Sequence, residues 1–460
     1  MIAIARILLV GKQSGDLASL KVALETSGFA AFLVSPNAVS DADVADVHPD
    51  VVLVDGRPDV DAALDVVTAL RAHSEFQHLP AVLLVDERGR DQTKRALDVG
   101  IDDVLQFPIK VDVLVARITP LFRMATMQAE LRRRAVTARA FGVHPDPLIR
   151  ADESDDDPAA ILMVGDVQGD APVVRAVLGE VGQLTLEEDP YKAAERLQRS
   201  RYDAVVASIV DDGEDVLNLC GYIRRNPSLF NLPVLVIADQ GKFPDQIEPY
   251  RRGASSVLDR NGHDSDFGGL DGESLYASVL TLVRRQRRRW RFRRALESTL
   301  QLGSKDEQTG LYNKDFIHNH LFQLLDSSER WERSLTVMMI TIQNLNGIRR
   351  EYGQGPGQQL VQQMGNWIGT LIRTEDIAAL VEDDRFLVAL PDTSLDNAHV
   401  VGSRITGVLL NTQFTVTGLD NEPEMGASIK AWVEAAYAER QDGDKADQLI
   451  ERARESSHWH

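Results

Sequence analysis

One cysteine, Cys220, stands in 460 residues, so no internal disulfide can form and a reducing cytoplasm is the expected compartment. No apolar run approaches the roughly 20 residues of a membrane span. The first such run, residues 7–10, is too short for a signal segment and reads as a buried strand. Positive charge is also short: 50 Lys and Arg against 70 Asp and Glu leave a net charge of −20. That balance argues against a general nucleic-acid partner and against an acidic membrane surface. What is present is length for about three domains of roughly 150 residues each, with apolar residues for several cores.

Short continuous apolar runs recur through the first part of the chain. Residues 7–10, 50–55, 80–85 and 104–105 alternate with helical patterns within residues 1–140. Runs of this kind between helices predict an α/β fold with a parallel, doubly wound sheet. Asp55 closes the second run, at the strand end where such sheets bind ligands. A polar, acidic stretch at 143–158 follows. Then the pattern repeats at 161–164, 202–207, 232–237 and 256–258, within residues 155–285. A repeat of this size predicts duplication of one fold.

Both copies resemble the flavodoxin-like receiver domains of response regulators. That resemblance implies Asp55 as phospho-acceptor of the first copy. Gly11 and Lys12 stand where the Mg²⁺-binding acidic pair belongs, Val85 replaces the hydroxyl residue and Phe107 the lysine. Phosphoryl transfer to a carboxylate needs a divalent cation held by carboxylates. Asp55 is therefore read as a leftover acid on an interaction module, with phosphorylation as the alternative and Lys12 as a partial stand-in for the missing charge. In the second copy Asp166 remains of the acidic pair, Ser208 holds the acceptor position, Ala238 the hydroxyl position and Arg260 that of the lysine. This copy reads as an adaptor or dimerisation domain, or as a spacer. Residues 284–294 (RRQRRRWRFRR) are read as the solvated end of a helix within a connector at 286–304, with nucleic acid or an anionic bilayer as the alternative. The arginines at 132–134 are read as a similar helix overrun.

Residues 306–313 (DEQTGLYN) predict a turn at Gly310 and a helix capped by Asn313. Residues 335–342 (LTVMMITI) predict a strand. Residues 371–393 then place Arg373 and Asp376 three apart, ahead of a hairpin whose tip reads Glu382-Asp383-Asp384-Arg385. Arginine presents a planar fork suited to a guanine edge or a phosphate. Aspartate accepts from a guanine's ring N–H and amino group. An exposed ion pair between Arg373 and Asp376 is the plainer alternative.

Residues 305–460 resemble the GGDEF domain of diguanylate cyclases. Arg373-Thr374-Glu375-Asp376 matches the RxxD motif that binds cyclic di-GMP, Arg404 matches the additional arginine of that site, and Arg175 is the candidate bridging arginine from the second copy. The catalytic half departs from the pattern. Thr341 replaces a metal-binding aspartate, Arg349 and Gln358 replace the guanine-reading residues, and Glu382 and Asp383 replace the hairpin glycines. Asp384 alone keeps a metal-ligand type, followed by Arg385. The resemblance covers nearly the whole chain in the order receiver, receiver, GGDEF. It implies a non-catalytic cyclic di-GMP receptor, with no metal or cofactor, no membrane insertion and a homodimeric state. Its implied protein partners are protease adaptors and a cell-cycle regulator at a cell pole. A residual diguanylate cyclase and a ligand-free scaffold are the alternatives.

Overall fold

Strands buried on both faces read as unbroken apolar runs, and such runs build the first two sheets of this computed structural model. The structure describes all residues except 1–4, 37–46, 74–75, 78, 88, 143–156, 167–168, 210–212, 227, 240–246, 261–269, 301–303, 418–425 and 457–460. The chain packs as two compact units. One consists chiefly of Ala3–Ala125 and Asp152–Arg291, the other of Thr126–Ala151 and Phe292–His460.

The first unit contains both repeats. Strands β1 (Arg6–Val10), β2 (Ala30–Val34), β3 (Val51–Asp55), β4 (Ala81–Val85) and β5 (Asp103–Gln106) form a parallel sheet of order 2-1-3-4-5. Helices α1 (Gly15–Thr26) and α4 (Val111–Ala140) supply one apolar face, α2 (Val60–Ala72) and α3 (Arg90–Asp98) the other. The second copy has β6 (Ala159–Gly165), β7 (Gly182–Glu187), β8 (Ala204–Ser208), β9 (Val234–Ala238) and β10 (Ser256–Asp259), in the order 10-9-8-6-7. Read from the other edge this is the same topology, so the fold is duplicated. Its helices are α5 (Ala171–Leu178), α6 (Pro190–Arg199), α7 (Glu214–Arg225), the short α8 (Glu248–Arg251) and α9 (Gly272–Ser298).

Sequence patterning places four strands in each copy; the structure has five. The extra strands, β2 and β7, are sheet edges. No residue of β7 is fully buried, so it carries no continuous apolar run to betray it. A second correction concerns the arginine run, which is mostly not solvated. Arg285 is buried, Arg287 donates to Asp203 (3.2 Å) and to the Asp157 carbonyl (2.8 Å), and Arg288 pairs with Asp102. The reason is electrostatic: carboxylates at the ends of both sheets draw these guanidiniums down along α9.

The second unit is built on an antiparallel sheet of order 12-13-11-16, from β11 (Leu335–Ile342), β12 (Ile377–Glu382), β13 (Arg385–Pro391) and β16 (Val433–Glu439). A separate hairpin pairs β14 (Gln413–Thr417) with β15 (Gly426–Lys430). Helices α11 (Leu345–Tyr352), α12 (Gln354–Leu371) and α13 (Leu395–Asn411) cover one face; α10 (Lys314–Arg330) and α14 (Ala446–Glu455) cover the other. Each fully buried Leu, Ile or Phe contributes about 1.5–3 kcal/mol. Asn313 caps α10 by accepting from the Phe316 N–H at 2.8 Å, and Gly310 sits at φ +74°, as the 306–313 motif requires. No helix among the described residues is long and apolar enough to cross a membrane.

Candidate ligand-binding site

Helix α12 stops at Leu371, and Ile372 turns the backbone extended. Residues 373–376 then close a turn that feeds β12. The Asp376 N–H donates to the Arg373 carbonyl (3.1 Å), and the Arg373 N–H donates to Asp376 Oδ2 (2.8 Å). One carboxylate oxygen is thus used locally. The other, Oδ1, has no hydrogen-bond partner, although Asp376 is only 4% exposed. A buried polar atom left unmatched is costly. Burial, and then the neighbouring Glu375, push the Asp376 carboxyl up to about 7, against the pull of Arg373 and Arg134.

The Arg373 guanidinium makes no hydrogen bond or ion pair among the described residues. The ion pair to Asp376 that the spacing allowed is not made; the backbone of Arg373, not its side chain, holds the carboxylate. Arg404 reaches across from α13 and donates Nη2 to the Leu371 carbonyl at 2.7 Å. A cation there answers the negative end of α12. Burial, then repulsion by Arg373, lower the pKa of Arg404, and Asp376 opposes this. Arg373, Asp376 and Arg404 therefore come together as a cationic cluster around one under-satisfied carboxyl. It offers donors to an anion and an acceptor to N–H groups.

The hairpin tip is a different environment. Arg349 on α11 donates Nη1 to Asp383 Oδ2 (3.1 Å). Arg385 pairs with Glu382 (3.1 Å) and lies 4.0 Å from Asp384; Arg454 also pairs with Glu382. Thr341, at the end of β11, is registered between Arg385 and Glu434, and Glu434 accepts from Gln343. Gln358 is exposed on α12. These residues do not fit a pair of divalent cations: the hydroxyl of Thr341 is neutral, and the carboxylate of Asp384 faces a guanidinium. No cluster of metal-binding side chains occurs among the described residues.

The receiver-like pockets are closed from within. Arg57, two residues after Asp55, grips that carboxylate with Nε (2.8 Å) and Nη2 (3.0 Å) and reaches Asp16 with Nη1 (3.0 Å). Its guanidinium also lies 4.0 Å above the ring of Phe107, the residue standing where the lysine was expected. The missing charge is thus supplied by Arg57, not by Lys12, which is exposed. A cation would have to displace this guanidinium to reach Asp55. In the second copy Ser208 donates to Asp170 (2.6 Å), and Arg260 pairs with the same Asp170 oxygen (2.7 Å). Asp166, expected to be the surviving acid of this pocket, instead accepts from the Gly169 N–H. Arg175 is exposed on α5, in the other compact unit from Arg373. Sequence reasoning missed Arg57 and Asp170. Proximity to Asp55 was the available signal for the first; nothing in the pattern singled out the second.

Residues 304–457 match the family described as "Diguanylate cyclase, GGDEF domain". The chain is 26% identical over 452 residues to the response regulator PleD of Caulobacter vibrioides, covering 98% of this chain and 96% of PleD. It is 33% identical over 133 residues to the transcriptional regulatory protein PrrA of Mycobacterium leprae, covering 29% of this chain and 52% of PrrA. Among solved structures, the GGDEF domain of DgcB from Caulobacter crescentus, in complex with c-di-GMP, aligns with 17% identity and a TM-score of 0.31, covering 34% of this chain and 87% of that one. The chain is PleD-like in organisation: two receiver-type folds followed by a GGDEF domain.

Proposed function

We propose that this chain is a non-catalytic receptor for cyclic di-GMP, bound at the Arg373–Asp376 turn. The observation that carries this reading is an Arg373 guanidinium with no hydrogen bond or ion pair among the described residues, beside a buried, half-satisfied Asp376 carboxyl. Arg373 and Arg404 would hold phosphate and a guanine edge, and Asp376 would accept from guanine N–H groups. The acids and arginines paired at the hairpin tip oppose the competing reading of a residual diguanylate cyclase. The receptor would act by recruiting protein partners, namely protease adaptors and a cell-cycle regulator at a cell pole, as a homodimer. Titration calorimetry with cyclic di-GMP tests the binding, with a ligand-free scaffold as the losing outcome if no heat of binding appears. Incubation with GTP and Mg²⁺ tests the second reading, which gains if dinucleotide product accumulates.

A further inference from the structure

The turn that carries Arg373 and Asp376 is held from behind by a residue outside the GGDEF match. Arg134 Nη2 donates to the carbonyls of Thr374 (3.3 Å), Glu375 (3.0 Å) and Asp376 (2.9 Å). Three successive carbonyls converging on one cationic NH2 group fix the peptide planes between residues 374 and 377. Those planes hold the C-terminal half of the turn and set where Asp376 Oδ1 projects beside Arg373.

Arg134 is itself held tightly. It is 3% exposed, and its Nε donates to Glu130 at 2.7 Å, one turn earlier on α4. Glu130 is fully buried and also bonds His320 Nε2 (2.8 Å) and Arg133 Nε (3.1 Å). His320 meets Thr137 through its other ring nitrogen at 3.0 Å. The Tyr312 hydroxyl lies 3.4 Å from Arg134 Nη1 and 2.7 Å from the Thr299 hydroxyl, while the Tyr312 N–H donates to the Ala378 carbonyl in β12. The pKa of Glu130 is driven down by His320 and Arg134 in spite of its burial, so the anion that orients Arg134 persists through the neutral range.

We infer that Arg134, on the helical segment before the second receiver-type fold, is a positioning residue for the Arg373–Asp376 turn and thereby sets its ligand affinity. The effect on affinity rests on that turn being the dinucleotide site; the effect on the turn itself does not. The test uses the full chain with Arg134→Ala and Arg134→Lys, read by amide hydrogen exchange without ligand and by titration with cyclic di-GMP. Exchange at residues 373–377 is expected to rise in Arg134→Ala while β13 stays protected. The dissociation constant is expected to rise by about tenfold, a typical coupling between linked elements. Arg134→Lys keeps the charge but loses the fork, and is expected to fall between the two. Unchanged exchange at 373–377 would overturn the inference, and so would an equal loss of protection in every strand, which marks a merely structural role. If Arg134→Ala does not fold, Arg134→Lys is judged by the same criteria. If the wild type binds no dinucleotide, the proposed function fails while the exchange result still decides the role of Arg134.

Discussion

The two ends of β12 are charged alike and wired differently. At its start, among the described residues, the Arg373 guanidinium makes no hydrogen bond or ion pair and Asp376 keeps an empty acceptor. At its end, Glu382 and Asp383 are each answered by an arginine of the same chain. A ligand offers little to a pocket whose charges are already paired, because every new contact must first displace an old one. The cluster at the start gains on binding, since its charge and its buried oxygen are unmatched beforehand. Asp55 sharpens the lesson, as its carboxylate is gripped by Arg57 at two points. Of these three carboxylate sites, the Arg373–Asp376 turn is the one with a buried carboxylate oxygen left unmatched among the described residues.

The largest expected effect follows directly. Arg373→Ala should weaken cyclic di-GMP binding by about 2 kcal/mol or more, the scale of a hydrogen bond to a charged group. It should leave stability within about 0.5 kcal/mol, because the guanidinium makes no hydrogen bond or ion pair among the described residues and its attraction to Asp376 is opposed by its repulsion of Arg404. Calorimetric titration and thermal melting check the two halves. A variant that binds normally, or one that melts far earlier, would erase the contrast between the two ends.

Next comes the proton on Asp376. Its carboxyl is raised in the folded chain, so the native state holds that proton more tightly than the unfolded chain. Folding stability from this group therefore falls as pH rises from the ordinary carboxylate range to about 7, and the penalty is complete above that. A guanine edge donates to the ionised form, so binding should release a proton and strengthen as pH rises toward and through 7. Below that value the affinity should change by at most about tenfold per pH unit. Asp376→Asn should remove both slopes. Titrations in buffers of differing ionisation enthalpy count the proton.

Much of this was legible in the residue order. Continuous apolar runs at β1, β3 and β4 announce a parallel sheet, and Asn313 and Gly310 announce the entry to α10. The edge strand β7 (GQLTLE) escaped because an edge buries too little to need an unbroken run, whereas β2 (AAFLV) carries such a run and was passed over. Arg373 and Asp376 stand out by their spacing and Arg404 by the GGDEF resemblance, and the structure brings the three together. Arg57 and Arg134 were not, for a common reason. Arg134 answers the carbonyls of residues 374–376, far away in sequence, and Arg57, although two residues from Asp55, also reaches the distant Asp16. Long-range pairing of one guanidinium with one acceptor leaves no period to count. The i, i+4 spacing of Glu130 and Arg134 was visible, but on its own it reads as a surface pair.

A smaller effect is expected at the other end of β12. Arg349→Ala breaks a pair whose acid, Asp383, is largely solvent-exposed. Such pairs contribute about 0–1 kcal/mol, so melting should shift little and dinucleotide affinity not at all.

The smallest expected effect is also the most demanding test. Replacing both tip acids, Glu382→Gly with Asp383→Gly, restores the glycines that let a backbone approach phosphates. It also frees Arg349 and Arg454 from their carboxylates. Turnover of GTP with Mg²⁺ should nevertheless stay at background. Thr341 still offers a neutral hydroxyl at the end of β11, and Arg385 still lies 4.0 Å from Asp384, so no pair of carboxylates is created to hold the cations. Product appearing from this double variant would mean that the hairpin acids alone suppress catalysis. The two ends of β12 would then differ by a removable block, and no longer by the absence of a metal-binding set.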